Sequence, residues 1–123
     1  MRTVILNGRD VAAGEAVLAR LRGAVPDTDF VFVAADYTDA VDVDRLFARV
    51  ADLGGLDILI HTATGGGPPD LFVNTPSDDW QRTIEGKWII LMLYFRKAIP
   101  MMIARGGVAI VAVGSDAAKL ATP

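Results

Sequence analysis

The chain has 123 residues, 52% of them hydrophobic and 22% charged, with a formal net charge of −3. That length supports one modest core, and that composition is not that of a disordered chain. The acidic balance argues against a nucleic acid or an anionic membrane held by bulk charge, and the absence of cysteine removes disulfides, thiolate catalysis and sulfur-ligated metals.

Thr3 to Leu6 is a short apolar run rich in β-branched residues, followed by Asn7-Gly8. It reads as a buried strand and a turn. Asp10 is placed to cap a helix whose inner face carries Ala13, Val17, Leu18 and Leu21, with Gly23 at its C-terminal end and Pro26 barring continuation. Phe30 to Ala35 is a second continuous apolar run. Thr38 or Asp39 then caps a helix with Val43, Leu46, Phe47 and Val50 on one face, ended by Gly54-Gly55. Leu56 to Ile60 is the third strand, followed by a Gly- and Pro-rich loop from Gly65 to about Pro76. Ser77 opens a long helix that runs to about Arg105, bends at Pro100 and stops at Gly106-Gly107. Val108 to Val113 is the fourth strand.

Continuous apolar strands alternating with amphipathic helices indicate an α/β fold in three layers, its parallel sheet of about four strands covered on both faces. Right-handed crossovers limit the topology to doubly wound arrangements. No internal repeat or linker divides the chain, which reads as a single domain over 1–123. The longest apolar stretch, Trp88 to Phe95, is interrupted by Arg96, Lys97 and Pro100, short of the ~20 apolar residues a membrane span needs. No leader is visible, and a cytoplasmic protein is expected. One histidine, His61, cannot form a multi-histidine metal site, so no metal is expected.

Several segments together resemble one family. Leu56-Asp57-Ile58-Leu59-Ile60 followed by His61-Thr62-Ala63-Thr64-Gly65 is similar to the L-D-I-L-V strand and N-N-A-G turn of the short-chain dehydrogenases/reductases. Ala35-Asp36-Tyr37-Thr38-Asp39 resembles the family's D-V-T-D segment. The helix from Trp80 to Ile99-Pro100-Met101-Met102 resembles its W…N…P-x-M helix, and Val108 to Gly114-Ser115 resembles the strand that delivers its serine. The resemblance covers nearly the whole chain. It implies a partial Rossmann-like domain that begins at the family's second strand. The T-G-x-x-x-G-x-G loop would then lie before Met1 and the Y-x-x-x-K pair beyond Pro123. Tyr37 and Tyr94 do not replace that tyrosine, since neither has a lysine four residues later.

The resemblance also implies roles. Arg9 stands at the corner that meets the adenosine ribose, where a cation suits a 2′-phosphate, so NADP(H) is expected over NAD(H). Asp36 matches the aspartate that accepts from the adenine amino group, and Tyr37 lies at the adenine edge. His61, Ala63 and Thr64 occupy positions against the cofactor ribose, although a lone histidine in a sequence otherwise reads as structural. Ser115 matches the serine that binds the substrate carbonyl or hydroxyl. Lys87 takes the place of the family's asparagine, and a lysine offers no acceptor to copy it. Gly65-Gly66-Gly67 opens into prolines rather than a helix and reads as a loop, not a phosphate cradle.

The expected function is therefore NAD(P)-dependent hydride transfer to or from a small carbonyl or alcohol, with this chain alone inactive. The alternative is a non-catalytic remnant that binds or oligomerises. The helix Trp88 to Met102 is apolar nearly all round and implies a homo-oligomer. A phosphoacceptor receiver domain is excluded, because it needs an aspartate after the third strand where His61 stands. Without the family's first strand, the sheet could close up in the order 2-1-3-4 or keep a gap filled by a partner chain.

Overall fold

The computed structural model describes residues 2–62, 72–107 and 109–114. The elements are β1 (Arg2–Gly8), α1 (Val11–Ala24), β2 (Thr28–Ala34), α2 (Ala40–Asp52), β3 (Ile58–His61), α3 (Ser77–Ile84), α4 (Ile90–Ala104) and β4 (Ala109–Ala112). A 3-10 turn, Phe72–Asn74, precedes α3, and a π turn, Glu85–Ile89, joins α3 to α4. The chain divides into two compact units, residues 1–54 and 55–123.

In the first unit β1 and β2 are parallel over seven rungs, from Arg2↔Thr28 to Gly8↔Ala34. The apolar run after Arg2 and the Phe-Val-Phe-Val run of β2 supply the β-branched and aromatic side chains a sheet favours. Asn7 and Gly8 belong to β1 itself, not to a turn. Helix α1 starts at the Asp10 cap, whose carboxylate accepts from the Ala13 amide at 2.9 Å. It continues through Gly23, which has an ordinary φ, and ends at Val25. Its buried positions are Gly14 and Leu18, while Val17 is 37% exposed. The inward face is thus rotated from the Ala13–Val17 edge toward Gly14. The cause is steric: the Phe32 ring of β2 sits where a side chain at Gly14 would be, with ring carbons 2.4–2.5 Å from an ideal Cβ. Only glycine lets α1 come this close to β2.

Helix α2 is capped by Asp39, which accepts from the Val41 amide at 2.8 Å. It buries Val43, Leu46, Phe47 and Val50, the i, i+3, i+4, i+7 stripe expected of an amphipathic helix. Gly54 and Gly55, with φ of 102° and 97°, take the left-handed turn after it.

In the second unit β3 and β4 are parallel from Ile58↔Ala109 to His61↔Ala112, and α4 packs on β3. The Arg105 guanidinium, just past α4, grips the Asp57 carboxylate ahead of β3 (Nη2–Oδ2 3.1 Å). That pair holds the helix end beside the strand start and lowers the Asp57 pKa. The long helix expected from Ser77 runs unbroken to Ala104, with a π turn inserted between α3 and α4 and Pro100 within α4. Ile90, Tyr94, Ala98 and Met102 form the covered stripe of α4, whereas Trp88, Met92, Ile99 and Ile103 are exposed. One face of this largely apolar helix is thus covered and the other is open in the single chain.

All four sequence-predicted strands exist, but they are hydrogen-bonded as two parallel pairs, β1 with β2 and β3 with β4. No ladder joining the pairs occurs among the described residues.

Substitution at two glycines of α1 should have opposite signs. Gly14→Ala forces the Phe32 ring to move, and overpacking of about 1–3 kcal/mol outweighs the helix-propensity gain of about 1 kcal/mol. Gly23→Ala meets nothing within 4 Å and should stabilise by about 0.5 kcal/mol. Urea denaturation of both variants measures the contrast.

Candidate functional site

Parallel pairing places the carboxyl ends of β1 and β2 at the same edge, where open α/β sheets bind ligands. Arg9 follows β1 and Asp36 follows β2. The Arg9 guanidinium approaches Asp36 Oδ2 at 3.9 Å, with the two side chains 72% and 35% exposed. At that exposure the attraction is weak, so the Arg9 charge stays available to solvent and ligand.

The Asp36 carboxylate is more tightly organised than that single contact suggests. Its Oδ1 accepts from the Thr38 amide at 2.8 Å and from the Thr38 hydroxyl at 2.7 Å, a local Asx turn. These two donors, assisted by Arg9, hold the Asp36 carboxyl below the usual carboxylate range. The Asp36 amide donates to Asp42 Oδ2 at 2.8 Å. Asp42 pairs with Arg45 at 2.9 Å, and Arg45 donates to the Ala34 carbonyl at 2.8 Å. From β1, the Asn7 side-chain amide donates to the carbonyls of Val33 and Ala35, both at 3.1 Å. The result is an ionised carboxylate with Oδ1 committed to its own turn and Oδ2 turned toward a cation. Tyr37 is half-buried beside it.

Next to this corner is an open depression of ≈ 320 Å³ between β1 and α1. Its lining combines the polar Arg9 and Asp10 with the apolar Leu6, Ala13, Val17 and Phe32.

In the second unit, His61 ends β3 and is buried at 9% exposure. Its ring meets Tyr94 of α4 edge-on at 5.4 Å and 80°. Its Nε2 has no hydrogen-bond partner among the described residues. Burial disfavours the imidazolium and lowers the His61 pKa. This is the environment of a packed structural histidine. Lys87 is half-buried in the π turn, three residues ahead of buried Ile90 on the covered side of α4. π turns recur at functional positions in helices. Ala63, Thr64, Ser115 and the Gly65–Gly67 run lie outside the described residues. Among the described residues, no group of three potential ligands is placed to hold a metal, and no helix is long and apolar enough to cross a membrane.

The structure therefore brings Arg9, Asp36 and Tyr37 together in one unit. His61 and Lys87 belong to the other. Sequence reasoning did not find Asn7, Thr38, Asp42 and Arg45 as parts of the Asp36 corner. A threonine two residues after an aspartate is a legible Asx-turn signal, whereas the reach of Asn7 depends on strand register.

A family description for short chain dehydrogenases matches residues 2–123. Over 121 residues the chain is 31% identical to glycine betaine reductase ATRR of Emericella nidulans, covering 98% of this chain and 9% of that protein. Among solved structures, L-sorbose reductase from Gluconobacter frateurii, complexed with NADPH and L-sorbose, aligns with a TM-score of 0.80 at 26% identity, over 89% of this chain and 41% of that one. The NADH-dependent reductase A1-R′ complexed with NAD aligns at 0.83 and 27%, over 95% and 50%. A short-chain type dehydrogenase/reductase from Mycobacterium ulcerans aligns at 0.88 and 21%, over 98% and 44%, a likeness of fold. The chain thus spans half or less of the length of each of these proteins.

The buried neutral His61 sets a pH dependence. Its folded pKa lies below its unfolded value, so the unfolded chain takes up the proton first as pH falls. The stability it supports is complete above the unfolded pKa of about 6.5 and declines below it. Thermal midpoints should be flat above about pH 7 and fall as the pH drops below about 6.5, and His61→Asn should flatten that fall.

Proposed function

The chain belongs to the short-chain dehydrogenase family, and from that premise we propose that it supplies the adenosine-binding part of a nicotinamide-dependent oxidoreductase. The observation that carries this reading is the corner at the carboxyl ends of β1 and β2. A cation, Arg9, and an organised carboxylate, Asp36, stand there within 3.9 Å of each other.

Asp36 Oδ2 is the acceptor for the adenine amino group, and Tyr37 flanks the ring. Arg9 faces the ribose. A guanidinium there offers paired donors and full charge to a 2′-phosphate, which favours NADP(H) over NAD(H). When bound, the nicotinamide supplies the hydride chemistry, acting on a small carbonyl or alcohol. Ser115 would orient that group, and Ala63 and Thr64 would line the ribose. The cysteine-free sequence suits a reducing, cytoplasmic setting.

A second reading is favoured by two particular residues. Lys87 stands where the family's asparagine is expected, and His61 is packed against Tyr94 rather than open to a ligand. Both support a chain that binds or assembles without catalysing. Its partner would be a second copy, joined through the exposed stripe Trp88, Met92, Ile99 and Ile103. In either reading the 123-residue chain alone does not turn over substrate.

Fluorescence titration with NADPH and NADH separates the two readings. Saturable binding, tighter for NADPH by about tenfold and losing that preference in Arg9→Asp, is expected from the charge removed. Absence of saturable binding to either nucleotide would leave only the assembly reading. For the interface, light scattering at micromolar concentration should give a dimer or larger species, and Met92→Glu should shift it to a monomer. A monomeric wild type would sink the oligomer proposal.

A further inference from the structure

We propose that Asn7 is a positioning residue for nucleotide recognition, acting through Asp36; this rests on the reading of Arg9 and Asp36 as adenosine contacts. The β1–β2 ladder has its last paired rung at Gly8↔Ala34, followed by one more bond from the Ala35 amide to the Gly8 carbonyl at 3.0 Å. Beyond that point the two strands part, β1 toward Arg9 and β2 toward Asp36. Asn7 bridges the place where they part. One side-chain nitrogen donates to two carbonyls, Val33 and Ala35, both at 3.1 Å.

The second of those carbonyls matters most. The Ala35 carbonyl and the Asp36 amide belong to one peptide plane. Asn7 holds its oxygen, and Asp42 Oδ2 accepts from its N–H at 2.8 Å. A peptide plane hydrogen-bonded at both ends resists rotation and fixes the N–Cα axis from which the Asp36 side chain departs. The Thr38 donors then fix Oδ1, so Oδ2 is presented in one direction, beside Arg9. Preorganisation of this kind removes an ordering cost from binding. Few side chains can replace Asn7. The task needs two N–H donors on one short neutral group, and an aspartate there would turn acceptors toward two carbonyls.

Calorimetric titration of the full chain with 2′,5′-ADP tests the proposal, using wild type, Asn7→Ala, Asp36→Ala and the double variant. Loss of a hydrogen bond of ordinary strength corresponds to about fivefold weaker binding by Asn7→Ala. Because Asn7 acts through Asp36, the double variant should bind no more weakly than Asp36→Ala alone. Val50→Ala, a destabilised core variant remote from the corner, should bind as wild type does while folded. Asn7→Thr, which keeps strand propensity and one donor, should fall between wild type and Asn7→Ala, and it carries the test if the alanine variant does not fold. Wild-type affinity in Asn7→Ala, or losses that simply add in the double variant, would overturn the positioning role and leave the adenosine reading standing. No saturable binding by wild type would overturn the adenosine reading, and this inference with it.

Discussion

The parallel register of β1 and β2 is the constraint on which the candidate site depends. Seven rungs bring the ends of both strands to one edge, and antiparallel pairing would have sent Arg9 and Asp36 to opposite edges. Close packing of α1 on β2 is permitted by Gly14, where the Phe32 ring takes the space of a side chain. Because α1 begins two residues after Arg9, its first turn and Asp10 cap lie at the same corner. The polar corner and the apolar depression next to it are thus two consequences of one backbone arrangement.

The electrostatics of the corner follow from that geometry and not from burial. Arg9 and Asp36 are both substantially exposed, so their mutual attraction is screened and contributes little to stability. What holds the carboxylate in its ionised form is local hydrogen bonding by Thr38. His61 shows the opposite case: burial against Tyr94 disfavours its charged form. One group is ordered by the donors of its own turn at an exposed corner, and the other by packing.

Much of the fold was legible because its signals are local. The stripe Val43, Leu46, Phe47, Val50 and the Asp39 cap are written within thirteen residues, and the Asp10 cap and the Gly54-Gly55 stop within a turn of their helices. Family resemblance located Arg9 and Asp36 because those positions follow strands whose order is readable. What escaped the sequence is set by tertiary geometry. The end of α1 passes Gly23 because the backbone there keeps an ordinary φ. The inward face of α1 turns on an aromatic ring eighteen positions away. The π turn at Glu85–Ile89 carries no periodicity of its own, since Trp88-Ile89-Ile90 is apolar whichever way the helix winds. Asn7 next to Gly8 has the composition of a turn, yet it lies in β1 and its amide reaches β2 through pairing with residues twenty-six and twenty-eight positions on.

Amide chemical-shift mapping of the isotope-labelled chain during titration with 2′-AMP tests most directly whether the ends of β1 and β2 form a preorganised adenosine corner. Saturable shifts confined to residues 7–10 and 35–38, with little change along β3 and α4, are the expected result. Shifts absent from that corner, or concentrated around His61 and Tyr94, would contradict it.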